Sequence, residues 1–237
     1  MIISKELFLN SVKDFNVDIS DVQFQMFDRY AELLLDWNKK FNLTAIKKPD
    51  EIVTKHFADS LSIMKSQTFV DGQSLIDVGT GAGFPGIPLL IMNPGLDITF
   101  LDSTEKKIKF IEVVLEDLDL YAETITARAE NVGNDPDYRE SFDFATARAV
   151  SELRNIVEFC LPLVKKNGTF ISMKGSKAQE EIVSSNKAIE ILGGRIERCE
   201  SFKLSDVGER NIVFIKKISQ TPTKYPRNFS QITKHPL

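Results

Sequence analysis

The chain has 237 residues, of which 42% are hydrophobic and 27% charged, a balance that excludes intrinsic disorder and fibrous classes. Its net charge of −4 excludes sequence-blind coating of nucleic acid, so any such contact has to be local. No apolar run approaches the roughly 18 residues that span a bilayer, and Cys160 and Cys199 stand far apart with no C-x-x-C. A cytoplasmic protein with no disulfide framework, no metal site and no membrane partner is expected.

Ser20-Asp-Val-Gln23 reads as a capping box that opens a helix reaching Trp37, with Phe24, Phe27, Ala31, Leu34 and Leu35 at helical spacing. A second helix is predicted from Pro49 through Leu61, burying Ile52, Phe57, Leu61 and Met64 and leaving His56 and Asp59 together on an exposed face. Residues 1–70 are therefore assigned to a helical cap on the main sheet. Lys39, Lys40, Lys47, Lys48 and Lys55 form a basic cluster within it.

Residues 71–218 follow as an α/β domain and 219–237 as a basic tail. Leu75, Ile76 and Val78 make a short buried strand interrupted by Asp77. The chain then enters the alternating glycines Gly79, Gly81 and Gly83, where the backbone can turn sharply against a ligand. A helix begins beyond Pro85. Strand, glycine loop and helix N-terminus in this order build a nucleotide-type crevice.

Read from Gly81, the loop fits G-x-G-x-x-G, the pattern of an NAD(P)-binding oxidoreductase or redox sensor. Read from Asp77, it fits acid-x-G-x-G-x-G, the loop of S-adenosylmethionine enzymes, and the carboxylate favours this second form. It suits the methionine ammonium, whereas it would repel a pyrophosphate. Asp102, nineteen positions beyond Gly83, ends the next strand where a ribose diol is gripped. Both ligand classes remain open at this point, as does a binding module without turnover.

Ser103 and Thr104 can cap a helix over Glu105 to Leu118, and Thr124 to Thr126 forms a third strand that leads into a turn at Ala127-Arg-Ala-Glu130. Phe142 to Ala147 is the fourth strand, entering Arg148. Asp77, Asp102, Glu130 and Arg148 thus stand at strand ends and are expected to converge on one crevice. A helix from Ser151, a turn at Asn167-Gly168, a fifth strand Thr169 to Met173 and a helix Lys177 to Leu192 come next. The last two strands, Arg195 to Leu204 and Asn211 to Ile218, form an antiparallel hairpin turning around Asp206 and Gly208. The expected fold is a seven-stranded, doubly wound α/β sheet of the class I S-adenosylmethionine methyltransferase type, Rossmann-like, with an N-terminal helical extension.

There is no Pro-Pro-aromatic loop to grip an exocyclic amine and no Pro-Cys pair to attack a pyrimidine ring. The acceptor is then one with a free lone pair or an easily lost proton, and guanine N7 is among them.

The motifs Trp37-Asn-Lys-Lys-Phe-Asn-Leu-Thr44, His56-Phe-Ala-Asp-Ser-Leu61, Asp77-Val-Gly-Thr-Gly-Ala-Gly-Phe-Pro-Gly-Ile-Pro88, Ala127-Arg-Ala-Glu130, Ala147-Arg-Ala-Val150, Met173-Lys-Gly175 and Thr221-Pro-Thr-Lys-Tyr-Pro-Arg227 together resemble the ribosomal RNA small-subunit methyltransferase G family. The resemblance covers nearly the whole chain. It implies S-adenosylmethionine as cofactor, guanine N7 of 16S rRNA as acceptor, and the 16S rRNA or the small ribosomal subunit as partner. The oligomeric state stays open, with a monomer expected.

It also implies contacts of Gly79, Gly81, Gly83 and Phe84 with the cofactor. Asp102, Ser103 and Thr104 would lie on its ribose side, Ala129 and Glu130 at its adenine, and Arg148 at the crevice mouth. Lys174, Lys224 and Arg227 would meet rRNA phosphates. After Arg227 the segment Asn228-Phe-Ser-Gln-Ile-Thr233 departs from the family pattern.

Overall fold

Ser20 Oγ accepts from the Gln23 amide at 3.2 Å while Gln23 Oε1 accepts from the Ser20 amide at 3.0 Å, so two amides that open a helix without partners are satisfied reciprocally. In the computed structural model, which describes residues 1–204 and 207–237, α1 (Lys5–Val12) precedes this box and α2 (Asp21–Phe41) follows it. The helix runs a turn beyond Trp37, to Asn42, whose left-handed φ of 49° ends it. Phe24, Phe27, Tyr30, Ala31 and Leu34 are buried along its inner stripe.

The second cap helix is not the regular one expected. α3 (Pro49–Ile52) widens into a π-helical stretch, Val53–Ala58, then continues as α4 (Asp59–Leu61) and a 3-10 turn, Ser62–Lys65. His56 and Asp59, predicted on an exposed face, are 8% and 5% exposed. A residue three positions along shares a helix face, and here that face is turned inward onto an arginine from the sheet.

The sheet contains β1 (Ser74–Val78), β2 (Asp97–Asp102), β3 (Glu123–Thr126), β4 (Phe142–Arg148), β5 (Val164–Lys174), β6 (Gly194–Leu204) and β7 (Gly208–Lys217), in spatial order β3-β2-β1-β4-β5-β7-β6. The first five run parallel, and β7 is antiparallel to both β5 and β6. Crossovers are made by α5 (Gly86–Met92), α6 (Glu105–Asp117), the single turn α7 (Ala129–Val132), α8 (Leu153–Cys160) and α9 (Ala178–Ile191). A short α10 (Phe229–Lys234) closes the chain. The order in which strands are added to the sheet reverses between β1 and β4, which opens a crevice at their carboxyl ends.

The expected turn at Asn167-Gly168 lies inside β5 instead. Asn167 takes a φ of 70° there, and the β4–β5 register jumps between Phe142 and Phe144, so the extra residues are absorbed as a bulge within one strand. Of the predicted hairpin turn, Asp206 lies outside the described residues, while Gly208 begins β7 with a φ of 94°.

One apolar cluster joins the cap helices to α5, α6 and one face of the sheet, and a second joins the other face to α8 and α9. Cap and sheet therefore share a core. Arg29 of α2 fixes the outer edge of this packing with a two-pronged pair to Asp117 of α6, both contacts at 2.7 Å.

Candidate active site

The glycine loop is latched to the strand beside it. Gly79 and Thr80 donate their amides to Leu101 O at 2.8 and 3.1 Å, and Gly81 donates to Asp102 Oδ2 at 3.1 Å. Gly79 has a φ of +69°, and a Cβ there would come 2.8 Å from a Val150 methyl. Gly83 has a φ of +95°, and its Cβ would come 2.4 Å from Ile87. Only glycine meets both demands at these positions.

Asp77 does not face the crevice. Its Oδ2 accepts from Thr80 Oγ1 at 2.7 Å and from the Gly86 amide at 2.9 Å, so it ties the loop to the start of α5. Its Oδ1 is buried without a partner among the described residues. Burial pushes this carboxyl up to about 6. Its place is beneath the loop, not beside a ligand's ammonium.

A cleft with a cavity volume of about 310 Å3 opens over the carboxyl ends of the parallel strands, at the lower end of the size of small-ligand sites. From β1 it takes Val78 and Gly79. From the end of β2 come Asp102, Ser103, Thr104 and Lys107, and from the end of β3 come Arg128, Ala129 and Glu130. Ala149 and Val150 close it beyond β4, and Ile156, Phe159 and Phe229 form the far wall.

Two carboxylates set its chemistry. Asp102, 5% exposed, accepts from the Thr104 amide at 2.9 Å through Oδ1 and from Gly81 and Lys107 through Oδ2, both at 3.1 Å. A carboxylate offers about four acceptor positions, so Oδ1 retains one for a hydroxyl. Glu130 is 6% exposed, and its carboxylate has no hydrogen-bond partner among the described residues. An acceptor at the β2 end and a second at the β3 end, flanking an open glycine face, fit a nucleoside-bearing cofactor.

Of the ten residues expected at the cofactor, the structure brings Gly79, Asp102, Ser103, Thr104, Ala129 and Glu130 together on this cleft. Gly81 and Gly83 shape the loop from within. Phe84, 4% exposed, is packed beneath it, with the His56 ring stacked on it at 4.3 Å and the Arg148 guanidinium 4.8 Å from its centroid.

Arg148 turns away from the cleft. Its Nη1 donates to Asp59 Oδ2 at 2.9 Å and to Lys55 O at 3.1 Å, and its Nη2 donates to His56 Nδ1 at 2.9 Å. Ala149 reverses the chain with a φ of 56°, a left-handed value uncommon outside glycine. Arg148 thereby meets the cap while Val150 comes back over Gly79. The four strand-end residues thus do not share one crevice: Asp102 and Glu130 do, whereas Asp77 and Arg148 hold loop and cap in place.

Two of the three residues expected to meet RNA are held in pairs within the protein. Lys174 pairs with Glu181 at 2.8 Å and donates to Ser151 O at 2.6 Å, with its side chain 9% exposed. Arg227 grips the fully buried Glu158 through Nε and Nη2 at 2.8 and 2.6 Å. For Arg227 the reason is physical: Glu158 has no exposed surface, and a buried carboxylate without a cation is costly. Lys224 is exposed, its ammonium 5.2 Å from the Tyr225 ring.

Lys107, Arg128, Val150, Ile156, Phe159 and Phe229 line the cleft without having been singled out from the sequence. Lys107, which helical spacing puts on the outward face of α6 with Lys106 and Lys109, instead reaches back to Asp102 at 3.1 Å from the first turn of that helix. Phe229, more than a hundred residues from the loop it approaches, carried no signal in the sequence.

A family profile described as rRNA small subunit methyltransferase G matches residues 23–213. The chain belongs to this family. The Ribosomal RNA small subunit methyltransferase G of Acetivibrio thermocellus is 49% identical over 98% of this chain and 96% of its own length. That of Desulfitobacterium hafniense is 45% identical over 94% and 92%. Among solved structures, a SAM-dependent methyltransferase from Aquifex aeolicus superposes with a TM-score of 0.56 at 18% identity, covering 75% of this chain and 97% of that one. M. jannaschii TYW2 in complex with AdoMet gives 0.51 at 14% identity, covering 63% and 72%.

In a methyltransferase G chain of this fold the cofactor is S-adenosylmethionine. The sheet order agrees, since β7 inserted antiparallel beside β5 is absent from the six-strand parallel order of dinucleotide enzymes. An NAD(P) site is set aside on that ground.

Proposed function

We propose that the chain methylates N7 of a guanine in 16S rRNA, with S-adenosylmethionine held across the cleft by Gly79, Asp102, Ser103, Thr104, Ala129 and Glu130. The observation that carries this reading is the state of the one histidine and the one cysteine packed behind the crevice. His56 has both ring nitrogens engaged, Nδ1 by Arg148 and Nε2 by Thr44 Oγ1, each at 2.9 Å. Cys160 is fully buried, and burial pushes its thiol up, away from the thiolate form. Neither is placed to serve as base or nucleophile.

The bound donor supplies a methyl carbon already activated by a sulfonium. An acceptor needing no deprotonation then needs mainly alignment. Guanine N7 presents its lone pair directly; the new N–C bond forms as the C–S bond breaks, the sulfur leaves as a neutral thioether, and the base takes up the positive charge. No proton has to be removed. Residues 1–70 act in this reading as the cap that holds the glycine loop, and Lys224 as a phosphate contact of the tail.

The test incubates the protein with methyl-labelled S-adenosylmethionine and unmodified small subunits, beside deproteinised rRNA and a control without RNA. Label is then mapped by chemical scission at N7-methylguanine. Label at a single guanine is the expected result. Label on rRNA that resists this scission would move the acceptor to another atom.

A further inference from the structure

The tail segment that departs from the family pattern folds back onto the cleft. Asn228 caps α10 by accepting from the Gln231 amide at 3.0 Å, Ile232 is fully buried, and the Arg227–Glu158 pair ties the tail to α8. This places Phe229 in the wall of the cleft. Its ring lies 6.1 Å from that of Phe159 at an interplanar angle of 22°, and the Arg128 guanidinium sits 4.9 Å from its centroid. Phe229 is nevertheless 47% exposed, with part of its surface uncovered at the rim.

The order of strands says which part of the donor this wall meets. An acid at the end of the second strand is where a ribose hydroxyl is gripped, and Asp102 occupies that position. A cofactor gripped there by its ribose would have the glycine loop on one side and the β3 end, with Ala129 and Glu130, on the other. Arg128, which covers Phe229, belongs to that β3 end. Ala129, Ile156 and Phe159 make the surroundings apolar, and Glu130 offers an unpaired acceptor suited to an exocyclic amine. An apolar wall with one acceptor at its edge suits a purine.

We propose that Phe229, held by the C-terminal tail, is a cofactor-binding residue that packs against the adenine of S-adenosylmethionine, with Arg128 backing its ring. The proposal rests on the cleft being the cofactor site. An aromatic contact of this kind contributes about 0.5–1.5 kcal/mol beyond its area, equivalent to roughly 2- to 12-fold in affinity.

Calorimetric titration of the full-length protein with S-adenosylhomocysteine, and separately with adenosine, tests it. Phe229→Ala is expected to weaken both ligands by a similar factor, roughly 3- to 10-fold. Phe229→Tyr should keep wild-type affinity, and Phe229→Leu, which preserves packing on Phe159 but not the ring, should fall between. Equal thermal midpoints of the unliganded proteins would show that the fold is intact. Wild-type affinity in Phe229→Ala would overturn the proposal and leave the residue as tail packing. Failure of the unsubstituted protein to bind S-adenosylhomocysteine would instead overturn the assignment of the cleft.

Discussion

Arg148 Nη2 donates to His56 Nδ1 across 2.9 Å, and this one contact decides the protonation of the histidine. With Nδ1 accepting, the ring's single hydrogen is on Nε2 and is given to Thr44 Oγ1. Burial first, then the Arg148 charge, holds His56 down to about 3. The unfolded chain titrates at its ordinary value of 6.5, so it takes up the proton first as pH falls. Stability from the neutral ring is complete above about 6.5 and is lost progressively toward 3.

Asp77 runs the opposite way. Raised from 3.8 to about 6 by burial, it contributes stability that is complete below 3.8 and is lost as pH rises through 6. Between those values the two slopes oppose each other. In His56→Gln, where an amide oxygen can still accept from Arg148, only the Asp77 slope remains. Urea unfolding at about pH 5 and about pH 7.5 should show a stability gap between wild type and variant that is about 2 kcal/mol wider at the higher pH. Equal gaps would mean that His56 titrates in the native protein as it does in the unfolded chain, and a gap narrower at the higher pH would mean that the ring is held charged.

Asp59 carries two cations, Arg148 on Oδ2 and Arg210 of β7 on Oδ1, both at 2.9 Å. The side chains of Asp59 and Arg148 are 7% and 12% exposed, so removing the acid strands a buried guanidinium. Asp59→Ala should cost about 3–5 kcal/mol in urea unfolding. Asp59→Asn, which keeps an acceptor, should cost less. A loss below about 1 kcal/mol in Asp59→Ala would place this pair with ordinary surface bridges.

What could be read from the sequence was local. The Ser20–Gln23 box, the glycine loop and the strand-ending acids are signals within a few residues of the structure they build, and the first two were found where the pattern put them. The burial of His56 and Asp59 could not be read, because the face they occupy is decided by Arg148, some ninety positions along the chain. Lys174 and Arg227 illustrate the same limit. A lysine beside a strand end and an arginine in a basic tail look free until Glu181 and Glu158 are brought against them. The tail's return to the cleft left no trace either, since one phenylalanine in a short polar helix has no period to betray it.

Asp102 joins loop geometry to ligand binding. It holds the Gly81 amide and the Thr104 amide and keeps one acceptor position in the cleft. Losing a charge-assisted hydrogen bond costs about 1.5–3 kcal/mol, so Asp102→Ala should weaken S-adenosylhomocysteine binding roughly 10- to 150-fold. Calorimetric titration measures this directly. Wild-type affinity in the variant would remove Asp102 from the ribose position and leave it as a latch of the loop.

Arg227 separates a structural cation from an RNA contact. Its fork fits both oxygens of Glu158, a carboxylate with no exposed surface, and lysine cannot reproduce that two-pronged geometry. Arg227→Lys keeps the positive charge, so a phosphate contact would survive it largely unchanged. A structural clasp would not, and urea unfolding should show a loss of about 1–3 kcal/mol, the range for a hydrogen bond to a charged group. The dependence of rRNA affinity on salt should stay as in wild type. In Lys224→Met, whose ammonium is exposed, the slope of log affinity against log salt should instead fall by about one, with stability unchanged. Unchanged stability in Arg227→Lys, together with an unchanged slope in Lys224→Met, would restore Arg227 as the phosphate contact.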